Sequence, residues 1–255
     1  MVLGGGAGPE AASGRRFFAD LHTHSNASFD SLTSPSALVR TAAQRGLTHL
    51  AITDHDRIEG ALAAREIARE VAPELMVIVG EEIRTADGDL IALFLESAVA
   101  PGLPAAATIA AVREQGGLVG IPHPFDRFRG SMLRNARLDQ LVDDVDWIET
   151  HNARVAVGNG NVRAAELAHA TGRAGLGVSD AHTAFEVGVA YTVFDRDPST
   201  AAGLLAALPT GEVVGGRASL YARLVTPVAK VIQRSRGNGR VAIDAAAPRT
   251  ARQRR

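Results

Sequence analysis

The chain has no cysteine, so disulfides, thiolate zinc sites and thiol catalysis are all excluded. It is also nearly without lysine: Lys230 stands alone against 26 arginines. A Schiff base, a phosphate-loop lysine or a carbamylated lysine bridging two metals would have to use that one residue, near the C-terminus. Aromatic residues make up 4% against 46% hydrophobic, so the core has to be filled by aliphatic side chains. No run approaches the roughly 18 consecutive apolar residues that span a bilayer. The first fourteen residues are Gly/Ala-rich, lack the apolar centre of a signal peptide and read as a disordered leader. A formal net charge of −1 gives no general attraction to nucleic acid or anionic lipid. These absences point to a cytoplasmic enzyme with no membrane partner; its oligomeric state is open.

What is present is an alternation of short apolar runs and amphipathic stretches. Ser34-Pro35 starts a helix, with serine as cap and proline in the first turn, and Gly46 stops it. Strands are expected at 15–21, 47–53, 75–79, 118–121, 146–150, 174–178 and 191–194, with helices at 57–71, 108–115, 162–170, 200–208 and 220–233. Asp87-Gly88 marks a hairpin between 82–86 and 90–95. About seven βα units fit, so the expected fold is α/β, a distorted (β/α)7 TIM-like barrel over 15–219. A C-terminal helix at 220–235 is expected to pack on the barrel, with a disordered basic tail at 236–255.

Four short clusters follow apolar runs: Asp20-Leu21-His22-Thr23-His24-Ser25, Thr53-Asp54-His55-Asp56, Pro122-His123-Pro124 and Ser179-Asp180-Ala181-His182. They hold five of the eight histidines. On extended backbone, His-x-His turns both imidazoles to one side, because side chains repeat every two residues. Imidazole and carboxylate without thiolate suit Zn²⁺, Mn²⁺ or Fe²⁺. Ligands spread over four strand ends imply one multinuclear site, with His22, His24, His55, His123, Asp180 and His182 as metal ligands. His49, inside a strand, reads as a packed histidine, and His169 as a surface one.

The four clusters, with Ile52, Ile121 and Gly177-Val178 leading into three of them, resemble the motifs of the PHP (polymerase and histidinol phosphatase) family, and the likeness covers roughly residues 17–194. The segment after Leu220 also resembles one found behind the barrel in a stand-alone subgroup. The resemblance implies a distorted barrel, two or three divalent ions (Mn, Zn or Fe, with Mg also suitable) and phosphoester hydrolysis. Its ligand sets are His22, His24, Glu82 and Asp180 for a first ion; Glu82 and His123 for a second; and Asp30, His55 and His182 for a third. Glu82 is preferred to Glu81, because the family's glutamate falls two residues after the glycine, here Gly80. Where the family commonly has a histidine in the following hairpin, this chain has Asp89. Either Asp89 binds the second ion and favours harder cations, or that site is weak and the centre is binuclear.

The chemistry then implied is a metal-activated hydroxide, with Asp180 and His182 in the catalytic centre. Asp56 either orients an imidazole, carries a proton or is a solvated loop residue. Arg127, Arg129 and Arg154 follow strand ends and suit bidentate phosphate contact, and His151 is a further candidate ligand or substrate contact. The substrate reads as a small phosphomonoester, nucleotide or cyclic phosphate. Three rivals remain: a 5′-3′ exonuclease or RNase acting on short nucleic acid, an amidohydrolase-type C–N hydrolase, and a non-catalytic binding module. The arginine-rich tail either solvates the chain or touches RNA or acidic partners.

Overall fold

Two-residue periodicity along the strands sorts the apolar side chains of this protein into two layers. In the computed structural model, which describes residues 14–126, 141–155 and 158–243, one buried cluster contains Phe17, Ala19, Leu21, Ala51, Ile78, Ile91, Leu93, Leu118, Trp147, Leu176 and Val178. The other contains their strand neighbours Leu50, Ile52, Val77, Val79, Leu90, Ala92, Val119 and Ile148, packed with Leu38, Val39, Ala61, Ala64 and Val112 from helices. The first fills the inside of a curved sheet and the second the space between sheet and helices. The aliphatic expectation holds for the outer layer, whereas Phe17, Trp147 and Phe194 place aromatic bulk inside.

The strands are β1 (Phe17–Asp20), β2 (His49–Ile52), β3 (Met76–Arg84), β4 (Asp89–Leu93), β5 (Leu118–Ile121), β6 (Trp147–Asn152), β7 (Ala174–Val178), β8 (Tyr191–Phe194) and β9 (Glu212–Val214). They form one sheet in the order β7-β6-β5-β4-β3-β2-β1-β8-β9. The β1-β2-β3 and β5-β6-β7 runs are parallel, with β4 antiparallel between them and β8 antiparallel to β1. The sheet nearly closes on itself. Across the gap, the Thr192 hydroxyl of β8 donates to the Gly177 carbonyl of β7 at 3.0 Å and accepts from its N–H at 2.9 Å. At the strand ends Thr23 bridges Ala181, which joins the chain after β1 to the chain after β7. This is the distorted α/β barrel expected from the alternation. The sheet extends beyond the seven units by the short β9, and the strand leading to Gly80 and the first hairpin arm are one continuous β3.

The helices are α1 (Pro35–Gln44), α2 (Glu59–Val71), α3 (Ala105–Glu114), α4 (Gly160–Thr171), α5 (Ala201–Ala207) and α6 (Leu220–Ser235). Ser34 caps α1 as expected, its side chain accepting from the Ala37 N–H. Gly60 in α2 has no room for a side chain: a Cβ there would lie 2.1 Å from both Asp54 Oδ2 and Ser25 Oγ. That contact seats the start of α2 against the loops that follow β1 and β2. No helix among the described residues is long and apolar enough to cross a membrane.

Candidate metal centre

The same parity that fills the barrel aims its polar strand ends inward. Continuing the inner-face series from Ile78 reaches Glu82, from Leu176 and Val178 reaches Asp180, from Leu93 and Ile91 reaches Asp89, and from Trp147 reaches Glu149. All four carboxylates are buried. The alternate residue Glu81 turns outward and accepts the Val99 N–H at 2.9 Å, whereas Glu82 faces the imidazoles.

Two overlapping groups of buried ligand-type atoms result, each with its atoms within 4.8 Å of one another. One is His22, His24 and Asp180; the other is His24, Asp30, His55 and His182. Glu82 lies between them: Oε2 is 3.3 Å from His22 Nε2, 3.3 Å from His24 Nε2 and 3.4 Å from His55 Nδ1, while Oε1 is 3.2 Å from His123 Nε2. Asp30 Oδ2 is 3.3 Å from Nε2 of both His55 and His182. The structure thus brings together eight of the nine residues expected as ligands. Asp89 is the ninth. It is buried close enough for its charge to act on His55, but its carboxylate faces Arg240 at 3.7 Å.

These residues fit divalent cations. The donors are all nitrogen and oxygen, and His24, His55 and His123 each have a buried Nδ1 without a hydrogen-bond partner. The local field also favours positive charge. Burial opposes ionisation of Asp30, yet His55 and His182 hold it well below the usual carboxylate range. Glu82 is likewise held low against its burial, by His55 and His22. Burial would lower His22, but Glu149, Asp180 and Glu82 raise it well above its ordinary value. His55 is pushed to about 9 in the same way, burial being outweighed by Glu82 and Asp30. His182 goes the other way, to about 3, through burial and the Arg154 charge, which keeps its imidazole neutral as a ligand must be.

Further contacts fix the imidazole orientations. His22 Nδ1 meets Glu149 Oε1 at 2.6 Å, which leaves Nε2 for the cluster. The other Glu149 oxygen accepts the His123 backbone N–H and the Asn152 amide, each at 2.9 Å, and the same amide donates to Asp180 Oδ2 at 2.9 Å. His182 Nδ1 donates to the Asp180 carbonyl at 2.9 Å, directing Nε2 at Asp30. Asp180 (φ 54°), His123 (φ 26°) and Asp56 (φ 55°) adopt left-handed backbone, so three of the four such non-glycine residues described lie at this mouth.

The other candidates are placed as follows. Asp56 accepts the Arg84 N–H at 2.8 Å and faces the guanidinium groups of Arg84 and Arg240, rather than any imidazole. Arg154 is half-buried, paired with Glu186 at 3.1 Å and donating to Thr226 of α6 at 2.7 Å. His151 donates to the Gly216 carbonyl at 2.8 Å and belongs to neither group. Arg127 and Arg129 lie outside the described residues. Lys230 is over the Phe29 ring, 5.3 Å from its centroid, and is in neither group. The sequence reading missed Glu149 and Asn152, although strand parity from Trp147 points to the first. It also missed Arg240, for which the sequence carries no signal.

The PHP domain family matches residues 20–176, more than half of the chain, and a PHP-associated family matches residues 158–213. An uncharacterized protein of Methanocaldococcus jannaschii is 35% identical over 146 residues, covering 53% of this chain and 81% of that protein. A 5′-3′ exoribonuclease of Haemophilus influenzae is 48% identical over 66 residues, 26% of this chain and 23% of the enzyme. Among solved structures, a two-domain protein of Bacteroides vulgatus containing a predicted PHP-like metal-dependent phosphoesterase superposes with a TM-score of 0.66 at 19% identity. That superposition covers 82% of this chain and 67% of the other, and shows a shared fold.

Proposed function

This chain belongs to the PHP domain family, matched over residues 20–176, and on that premise we propose that it is a metal-dependent phosphoesterase acting on a small phosphoester: a phosphomonoester, a nucleotide or a cyclic phosphate. One observation carries the reading. Two buried ligand groups share His24, and Glu82 lies within 3.4 Å of His22, His24, His55 and His123.

In this proposal His22, His24, Glu82 and Asp180 hold one ion and Asp30, His55 and His182 another. His123 with Glu82 offers a further position, which Asp89 completes only if it turns from Arg240. Mn²⁺, Zn²⁺ and Fe²⁺ suit the set, and the carboxylates admit Mg²⁺. When bound, such ions would lower the pKa of a coordinated water to about 7 and would neutralise phosphoryl charge. The protein's own part is orientation and proton handling. Glu149 fixes His22, and the Asp180 carbonyl fixes His182, so the donor atoms point inward before substrate arrives. The Arg154 charge helps keep the His182 imidazole neutral, and the same side chain ties α6 to the barrel. Asp56, beside two guanidinium groups, is the carboxylate proposed to relay a proton at the mouth. Arg127 and Arg129 are proposed phosphate contacts.

The test is hydrolysis of p-nitrophenyl phosphate and a nucleotide panel with added Mn²⁺, together with metal analysis of protein purified without chelator. Turnover that depends on bound metal supports the reading, and turnover undiminished in Asp180→Ala rejects it. A nuclease is the second reading, supported by the 66-residue match at 48% identity to an exoribonuclease. Degradation of short 5′-phosphorylated oligonucleotides, steeply reduced by salt, would favour it. A C–N hydrolase with a lysine bridge is disfavoured, because Lys230 stands over Phe29.

A further inference from the structure

At the barrel mouth, α6 and the segment that follows it fold back onto the loop that carries Asp30. The buried Gln233 side chain donates to three carbonyls of that loop: Asn26 at 2.7 Å, Ser28 at 3.1 Å and Ser31 at 2.7 Å. Asn238 adds bonds to the Asn26 and Ala27 carbonyls at 3.2 and 3.1 Å. Residues beyond α6 are anchored in turn by Arg57, which donates to the Gly239 carbonyl at 3.2 Å, and by Arg84, which donates to the Val241 carbonyl at 2.5 Å. Ile243 packs against Gly102, where an added Cβ would lie 2.5 Å from its Cγ2. A segment whose composition suggests a solvated tail is therefore held at several points along the rim.

Those anchors fix the position of one side chain in particular. The Arg240 guanidinium lies over the Phe29 ring, 5.4 Å from its centroid, and Phe29 in turn lies 5.0 Å from the His55 ring. Arg240 faces Asp89 at 3.7 Å and Asp56 at 4.0 Å, both longer than a hydrogen bond. These carboxylates attract the guanidinium without occupying its N–H donors, and the side chain is 37% exposed. Planar N–H donors at the edge of a metal centre, held in place and with no hydrogen-bond acceptor among the described residues, match the bidentate geometry of a phosphate oxygen pair. Lys230, over the same ring, adds a second positive charge.

We propose that Arg240, brought to the barrel mouth by the segment that follows α6, is a cation that binds the phosphoryl group of the substrate. The inference rests on the phosphoesterase reading and adds a residue to it. It assigns to the C-terminal segment a place in the substrate site.

The test uses full-length protein loaded with Mn²⁺ and inorganic phosphate as the probe. Wild type, Arg240→Ala, Arg240→Lys and Lys230→Ala are compared for phosphate affinity, metal content, melting temperature, and KM against kcat on whichever phosphoester is turned over. Loss of a charged hydrogen-bond pair predicts phosphate binding at least about tenfold weaker in Arg240→Ala, with KM raised by a similar factor. Metal content and melting temperature stay unchanged, Arg240→Lys recovers part of the affinity, and Lys230→Ala shows a smaller loss. Unchanged phosphate affinity in Arg240→Ala overturns the proposal, and so does a loss that merely follows loss of metal. If the wild type hydrolyses phosphoesters and Arg240→Ala behaves identically, only the assignment of Arg240 fails. If the metal-loaded wild type neither binds phosphate nor hydrolyses any phosphoester, the phosphoesterase reading fails and takes this assignment with it.

Discussion

Strand β2 separates two buried histidines that behave oppositely. His49, at its start, bonds Thr48 Oγ1 and Ser199 Oγ, each at 2.9 Å, and meets one exposed carboxylate, Asp197, at 3.4 Å. Burial pushes it down to about 4, and it stays neutral. His55, three residues past the end of the strand, has Glu82 and Asp30 within 3.4 Å, and they raise it to about 9 against the same burial. The residue type and the strand are shared. What differs is the number of carboxylates that the barrel gathers around each ring. Parallel strands bring their C-terminal ends to one mouth, where loops converge and inner-face acids can face one another. Among the described residues the opposite end gathers no such set, so His49 there serves packing.

The largest expected effect separates the two ends by function. Asp180→Ala should reduce phosphoester hydrolysis by about a thousandfold or more and lower bound metal. His49→Ala should leave turnover and metal content at wild-type levels, with a loss only in stability. Parallel activity and metal assays check both, and equal loss in the two variants would erase the distinction between the ends.

A smaller effect tests how the mouth is built. Glu149→Gln keeps the shape of the side chain but removes the charge that meets His22 Nδ1 at 2.6 Å. Metal affinity should drop by about 10–100-fold, as for other residues that orient a ligand, with the fold intact. Metal titration of the two proteins reads this directly. A wild-type affinity in the variant would mean that His22 is positioned by the backbone alone.

Much of this mouth was legible before any coordinates. The clusters around His22, His55, His123 and Asp180 stand at strand ends, and a strand-end histidine beside a carboxylate is a local pattern. The α/β alternation that carries them is equally local, since each helix shows its cap and its apolar face within a few residues. Glu149 was less visible because it sits inside β6 and resembles any polar alternate; only its parity with Trp147 reveals that it points inward. The left-handed backbone at His123 and Asp180 leaves no trace in residue type, since neither position is glycine. Arg240 was beyond reach for another reason. A basic, apolar-poor segment has the same composition whether it is solvated or held by backbone carbonyls, and the bonds from Arg57 and Arg84 depend on tertiary placement. Asp89 joins the two limits: parity aims it inward correctly, but its pairing with Arg240 is set by that same segment.

The smallest effect returns to His49 and concerns stability against pH. Its folded pKa, about 4, lies below the ordinary 6.5, so the unfolded chain takes up that proton first as pH falls. The contribution of the neutral ring is therefore complete above about pH 6.5 and is lost progressively as pH falls toward 4. His49→Gln removes the titration. Between pH 7.5 and pH 5, the variant should lose less unfolding free energy than wild type, by on the order of 1 kcal/mol. Comparing slopes rather than absolute stabilities cancels the pH-independent loss of the Ser199 bond. It also cancels the titration of the metal ligands, which both proteins share. Asp197 and Arg15, the charged groups that act on His49, remain in both proteins as well. Denaturant unfolding at the two pH values measures the difference. Identical slopes would mean that the ring already exchanges its proton freely in the folded state, and that the lower end of β2 is wetter than its burial implies.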